Sequence, residues 1–544
     1  MNTHIHLAMN LGDLLENGYF PKELPPAFST KSFASIYPII NSQWSPKKLK
    51  NGFPDIPETQ LTDYSFLKKN HIRRKLSIVN PISQFYLSKF IIDNWTEIDA
   101  HCSKSNLSTS RPIKNDFQNP KNKRSILTLK SFQEFKKECI TCSYDRMYEL
   151  KTDISWFYPS VYTHSIPWAL HTKEQAKANR NDYQAFYGNV LDKYIRTCQS
   201  GQTNGVPTGP DTSQIIAEII LCAIDQKLRT EFPDLKGYRY FDDYCFYLAN
   251  RENADKLLVY LQSILNDFHL VLNEQKTIIN QYPMAYDEPW VLSLSTFSLS
   301  KNKARQEKDI WKYFNLAFGL FDEHKSEHVL KYAIRRLEKY EIYEENWDLF
   351  ESLLFKCTLL DPKTIKPLIE FLLYYENFRN EDKIESLVHT LLDQHIYKNH
   401  SYELAWTLWL AKTFKIKIPA KSASIILRSN DVVPQILTLD LKSQNLIDSN
   451  LDTTFLNNDL TSDSLYSNKW LLTYEATIKG WLTSSNPNIL DDNDYFSVLK
   501  DNDISFYDGN RQLVPIEIED DSTEIIDSDE SESYGSYIFM DDYE

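Results

Sequence analysis

The sequence predicts an α+β fold: an antiparallel sheet with helices over roughly the first 300 residues, an all-α region after it, and an acidic, disordered tail. Three features support this. The run GYRYFDDYCFYLAN is apolar and aromatic around one acidic pair, which reads as two strands joined by a tight turn at Asp242 and Asp243. Around it the order is strand, helices, hairpin, helix, strand, as in an antiparallel sheet with helices packed on it. From about Lys308 to Ser429 strand patterns vanish, and helical patterns of about fifteen residues recur. Four segments follow from this: an N-terminal extension (1–60), the mixed region (61–300), the helical region (301–485) and the tail (486–544).

Composition is that of a globular chain, 42% hydrophobic and 25% charged. No apolar run approaches the roughly 20 residues of a spanning helix, so no membrane association is expected. The opening MNTHIHLAMNLGDLL lacks the charged leader, apolar core and cleavage site of an export signal. Seven scattered cysteines fit reduced thiols of the cytoplasm better than a disulfide framework. Cys139 and Cys142 form one CxxC without a second pair at zinc spacing, and are expected to be plain helix residues. The net charge of −15 argues against a polyanionic partner only until its distribution is read. Residues 517 to 544 hold twelve acids and no Lys or Arg, which leaves the rest near −3.

In order along the chain, a short amphipathic helix signal precedes FPKELPPAF, a Pro-rich aromatic segment expected to be extended. LKKNHIRRKLSIVNP places Arg73, Arg74 and Lys75 together, either a solvated face or a phosphate contact surface. Residues 101–130 read as a cationic loop with Arg111, Lys114, Lys121, Lys123 and Arg124, a candidate for holding a triphosphate. A helix is expected over Ser131 to Ser143, then a strand over Tyr148 to Ile154 with Asp153 near its end, then helical residues from Trp168 to Gln199. GQTNGVPTGPDTSQII is a Gly/Pro-rich loop feeding a helix capped by Asp211, Thr212 or Ser213. Its glycines let backbone approach a base pair or nucleotide closely. Ile216, Ile220, Ala223 and Ile224 form that helix's buried stripe. After the hairpin, ENADKLLVYLQSILNDFHL is an amphipathic helix, and LVLNEQKTII a strand carrying Asn273 and Lys276. Beyond Asp440 the chain is rich in Asn, Asp and Ser, with one helical piece near Trp470 to Trp481.

An isolated Asp-Asp pair is by default a solvated turn. Adjacent carboxylates repel, however, and a divalent cation with a preference for hard oxygen ligands offsets that repulsion. Asp153, the glycine loop, YFDD and LNEQK occur here in an order that resembles the fingers and palm of reverse transcriptases over roughly residues 65–295. The forms ELPPAF, DISWFYPSVYTHSIPWALH and GVPTGPDTSQIIAEI, joined to a helical C-terminal region, most resemble bacterial abortive-infection and defence-associated reverse transcriptases.

The resemblance implies an RNA-directed DNA polymerase acting on dNTPs, with Asp153, Asp242 and Asp243 holding two Mg2+ or Mn2+ ions and Asp242 the better placed of the pair. It implies that Tyr158 lies beneath the sugar and excludes a 2′ hydroxyl. Lys276 would act on pyrophosphate, while Gly205, Pro207, Gly209, Arg111 and Lys114 would face the nucleotide. Asn204, where many relatives have Gln, would join Arg73, Arg74 and Lys75 on the nucleic-acid side. Partners implied are an RNA template or non-coding RNA, a DNA product, and either a homo-oligomer or other defence proteins, in a bacterial cytoplasm. Templated, untemplated and protein-primed synthesis stay open. The competing readings are an inert RNA-binding scaffold and an RNA-dependent RNA polymerase, against which Tyr158 stands.

Overall fold

The structure is a computed structural model that describes residues 9–49, 52–69, 72–115, 124–128, 132–285, 288–324 and 328–518. Three short helices, α1 (Leu11–Asn17), α2 (Lys31–Ser35) and α3 (Tyr37–Gln43), precede the antiparallel ribbon of β1 (Thr62–Lys69) and β2 (Ile72–Ile78). Helices α4 (Pro81–Asp93) and α5 (Trp95–Cys102) lead to a second ribbon, β3 (Pro112–Lys114) with β4 (Ile126–Thr128). Part of the expected cationic loop is therefore paired strand. Lys121 and Lys123 lie outside the described residues.

Helix α6 (Phe132–Ser143) feeds β5 (Tyr148–Thr152), followed by α7 (Phe157–Ser160), α8 (Ser165–His171), α9 (Lys173–Ala178) and α10 (Tyr187–Thr197). The long α11 (Asp211–Glu231) then enters the hairpin β6 (Lys236–Tyr240) and β7 (Asp243–Leu248), α12 (Arg251–Asp267) and β8 (Ile278–Gln281). The four strands lie in the order β6-β7-β5-β8. β5 is antiparallel to both neighbours, with Leu150 opposite Phe246 and Ile279.

Because successive side chains alternate across a strand, Tyr244 and Phe246 share one face and Cys245 and Tyr247 the other. The first pair joins the main core, to which α11 and α12 contribute. The second packs with Cys139 of α6. Burial on both faces explains why the run after the acid pair is apolar throughout. α12 shows why its sequence is helical: Leu257, Leu261, Ile264 and Leu265 are buried at helical spacing, and the Asn250 side chain accepts from the Asn253 N–H at 2.9 Å.

Two local expectations are corrected. LNEQK is not strand: Glu274–Lys276 form a 3-10 turn and the strand begins at Ile278, because the Asn273 side chain accepts from Gln275 N–H and caps the turn. Nor does a side chain cap α11. Asp211 is its first residue, and its carboxylate instead receives the Arg124 guanidinium and the Ser125 hydroxyl. In the expected stripe of that helix Ile216, Ile220 and Ile224 are buried, whereas Ala223 is half-buried.

The helical region comprises α13 (Pro289–Ser295), α14 (Lys303–Glu323), α15 (Val329–Arg336), α16 (Glu344–Leu360), α17 (Ile365–Tyr374), α18 (Glu381–His395), α19 (Ser401–Thr413), α20 (Ala420–Arg428), α21 (Val432–Ser443), α22 (Trp470–Ile478) and α23 (Phe496–Asp501). α19 is buried from Ser401 to Ala411 without interruption, the mark of a core helix. It packs on α18, α21 and β1, and Trp406 Nε1 donates to the Glu23 carbonyl at 2.8 Å. Among the described residues a continuous apolar cluster runs from Met9 to Ile516.

The tail also begins later than expected. Phe506 and Tyr507 are buried, Ser29 N–H donates to the Phe506 carbonyl at 3.0 Å, and Asp508 N–H donates to the Ala27 carbonyl at 2.8 Å. Polar composition had masked these aromatic anchors. Residues 519–544, which hold most of the acidic stretch, lie outside the described residues. Among the described residues no helix is long and apolar enough to cross a membrane.

Candidate active site

β5 ends at Thr152 opposite Tyr244, so the next residue, Asp153, emerges beside the β6–β7 turn. Its carboxylate is buried and meets Lys276 Nζ at 2.9 Å, while Asn273 Nδ2 donates to it at 3.4 Å. The Asn273 N–H also donates to the Asp153 carbonyl at 2.8 Å, which ties the 3-10 turn to the strand end. Asp242 is buried in the turn. Burial first, and then the charge of Asp153, push its carboxyl up to about 8. Asp243 is half-exposed and opens β7 opposite Tyr240. The fold therefore brings Asp153, Asp242 and Lys276 together, with Asp243 adjoining them in the chain.

The turn needs support, since Phe241 adopts φ 50°, a left-handed value that hairpins normally assign to glycine. Its N–H donates to Ser110 Oγ and its carbonyl accepts from Arg239 Nη1, each at 2.8 Å. Arg239 is fully buried. Its Nε lies 2.9 and 3.1 Å from the Asp225 carboxylate, and Nη1 and Nη2 lie 3.0 and 2.9 Å from Glu218, both acids on α11. Ser105 Oγ and the Tyr244 hydroxyl also donate to Asp225. Two carboxylates share one guanidinium. Burial pushes Asp225 up, whereas the charge and hydrogen bonds of Arg239 overcome the same burial at Glu218 and hold it below its usual range.

The sequence reading missed this network. The signal was present as Glu218 and Asp225, seven residues apart on a helix face that otherwise reads as apolar, and as an Arg inside an aromatic strand.

The remaining candidates fall around this centre. Tyr158 is half-buried, and its carbonyl accepts from the Val206 N–H at 2.9 Å, so the glycine loop lies against the segment that carries it. In the structure the close approach that these glycines permit is to the chain itself. A Cβ on Gly205 would stand 3.3 Å from the Pro159 carbonyl, and one on Gly209 would stand 2.8 Å from Pro21 Cγ. Pro207 is buried and Asn204 exposed, the latter bridged to Tyr162.

Several basic candidates have internal counter-charges. Arg111 pairs with Asp99 at 2.7 Å, Lys114 with Asp13 at 3.0 Å, Lys75 with Asp63 at 2.7 Å, and Arg73 with Glu403 of α19 at 2.5 Å. Arg74, between the last two in sequence, is half-buried on β2.

A family model described as reverse transcriptase (RNA-dependent DNA polymerase) matches residues 106–289, the span that holds β5, the hairpin and β8. The chain thus contains a reverse transcriptase domain and is an RNA-directed DNA polymerase. No curated protein matches it by sequence. Among solved structures it is similar to apo telomerase from Candida tropicalis, at 10% identity and TM-score 0.31 over 79% of this chain and 78% of that one. It is similar too to telomerase from Candida tropicalis in complex with a fragment of telomeric RNA, at 13% identity and TM-score 0.30 over 74% and 68%. Telomerase from Candida albicans with such a fragment gives 12% identity and TM-score 0.27 over 71% and 66%.

Proposed function

We propose that the chain extends DNA from dNTPs with two magnesium ions held by Asp153, Asp242 and Asp243, manganese being the alternative, and that it serves bacterial defence against phage. The observation that supports the chemistry is the buried pair Asp153 and Asp242: Lys276 bonds Asp153, while burial and the charge of Asp153 push Asp242 up to about 8, so the pair is short of positive charge when both acids are ionised. Hard oxygen donors with unbalanced charge fit a divalent cation. Ions bound there would lower the pKa of the attacking 3′ hydroxyl and neutralise charge on the leaving pyrophosphate.

The protein's own residues supply placement. Asn273 and Lys276 hold the Asp153 carboxylate, and Arg239 with Ser110 fixes the turn so that Asp242 faces it. Tyr158 offers its ring as a floor for the sugar, leaving no room for a 2′ hydroxyl. Lys276, 37% exposed at its side chain, moves from Asp153 to the pyrophosphate as charge develops there. Partners are nucleic acid and dNTPs, with a second copy of the chain or other defence proteins completing the assembly.

The defence role is supported by the phrasing of ELPPAF and GVPTGPDTSQIIAEI together with the helical C-terminal region. Purified protein offered dNTPs or NTPs, with and without an RNA template, tests the chemistry against an Asp242→Ala, Asp243→Ala variant. Incorporation of dNTPs by the wild type alone is expected. Tight RNA binding without incorporation of either nucleotide refutes the enzyme reading. Equal phage plating on cells carrying wild type or the variant refutes the defence role alone.

A further inference from the structure

Away from the polymerase centre, the stretch HIYKNHSYE places His395, His400 and Glu403 at the corner between α18 and α19. His395 is the last residue of α18 and Glu403 lies in the first turn of α19. The linker folds back through Asn399, whose φ is 52°. That reversal brings His395 Nδ1 and His400 Nδ1 to 2.9 Å, and His400 Nδ1 to 3.8 Å from Glu403 Oε1. One ligand atom from each of the three residues lies within 4.8 Å of the others. We propose that this corner is a binding site for a divalent transition metal of the zinc class, with His395 Nδ1, His400 Nδ1 and a Glu403 oxygen as ligands and solvent completing the sphere.

Three features favour a metal over a shared proton. Two imidazole nitrogens on one tetrahedral zinc at about 2.0 Å stand about 3.3 Å apart, so the rings need to part by only about 0.4 Å. Glu403 is oriented from behind by Arg73, whose Nη1 and Nη2 lie 2.5 and 2.8 Å from its two oxygens, and each oxygen keeps a lone pair for a metal. Asp431 is also buried within electrostatic reach of Glu403 and Arg73. Two buried acids thus share the surroundings of one guanidinium. His400, whose side chain is 24% exposed, gives the route of entry.

The site would fasten the α18–α19 corner, and through Arg73 the β1–β2 ribbon, independently of the reaction proposed above. Full-length wild type titrated with Co2+ is expected to bind one equivalent with the strong visible bands of tetrahedral cobalt, displaced by Zn2+. The carboxylates near Asp242 offer oxygen ligands and do not give those bands. Zn2+ is expected to raise the melting temperature of the wild type by a few degrees, and His400→Gln to abolish both effects while melting like the metal-free wild type. X-ray absorption at the zinc edge of the loaded wild type is expected to show two imidazole shells, a reading that needs no variant. Oxygen-only scattering, or cobalt bands unchanged in His400→Gln, overturns the proposal.

Discussion

Replacing Arg239 by Met keeps an unbranched side chain in the same space but removes the guanidinium behind the acidic turn. Lost are the bonds from Nε to Asp225, those from Nη1 and Nη2 to Glu218, and the one to the Phe241 carbonyl. Both buried carboxylates then lose the counter-charge they are bonded to, at about 3–5 kcal/mol for even one such charge. Each escapes by taking a proton. Holding a carboxylate protonated costs about 1.4 kcal/mol for every pH unit above its ordinary value near 4, hence about 4 kcal/mol per group at pH 7 and about 8 kcal/mol for the two.

Against a typical stability of about 5–15 kcal/mol, the variant is marginal at neutral pH. An acid whose folded pKa lies above its unfolded one gives stability that is whole below pH 4 and lost as pH rises, so the variant recovers on acidification. Urea midpoints compared between pH 5 and 7 are expected to show a gap widening by up to about 2.7 kcal/mol per pH unit. Adding Glu218→Gln and Asp225→Asn removes the unpaired charges and is expected to restore more than half of the loss at pH 7. A gap under about 1 kcal/mol that ignores pH would refute the reasoning.

Three further outcomes are expected. Asp242→Asn abolishes nucleotide incorporation yet, in chelator, melts above wild type; burial and Asp153 push Asp242 up to about 8, so the wild type loses stability as pH climbs from about 4 toward that value, and a variant that melts lower at pH 8 contradicts this. Tyr158→Ala lowers discrimination between dNTP and NTP by about tenfold or more in competitive incorporation; unchanged discrimination removes the sugar floor. Phe506→Ala opens a cavity among Tyr19, Phe33, Trp470 and Tyr474 and costs about 3–5 kcal/mol, read as a lowered urea midpoint and as earlier proteolysis near the N-terminus.

What could be read from the sequence was what is written locally. The hairpin, the strand before Asp153 and the helices from α14 to α19 each advertise themselves by period and by turn residues within a window of about fifteen residues. The order of these pieces carries the resemblance to reverse transcriptases, and it is that resemblance that implied Asp153 beside Asp242. What could not be read was pairing over long separations. Arg73 looks like part of a basic patch until its partner Glu403, 330 residues on, is seen. Nothing near Gly209 in the sequence shows that Pro21 lies against the space its missing side chain leaves. The stretch after 486 looks like a solvated tail because two buried rings do not alter an average over Asn, Asp and Ser.

The acidic turn shows how these long-range pairings reach the chemistry. Phe241 holds a backbone angle unfavourable to any side chain, so the turn persists only because its neighbours over-determine it. One support comes from α11 through Arg239. The other comes from residues 107–110, which run alongside β6: Arg239 N–H donates to the Leu107 carbonyl at 2.7 Å, Thr109 N–H donates to the Arg239 carbonyl at 2.9 Å, and Ser110 receives the Phe241 N–H. Ser110 immediately precedes Arg111 and the β3–β4 ribbon, where Lys114 and Arg124 are themselves paired with Asp13 and Asp211. The segment that leads into that ribbon is therefore the one that holds the acidic turn in place, through the backbone of Leu107 and Thr109 and the Ser110 hydroxyl.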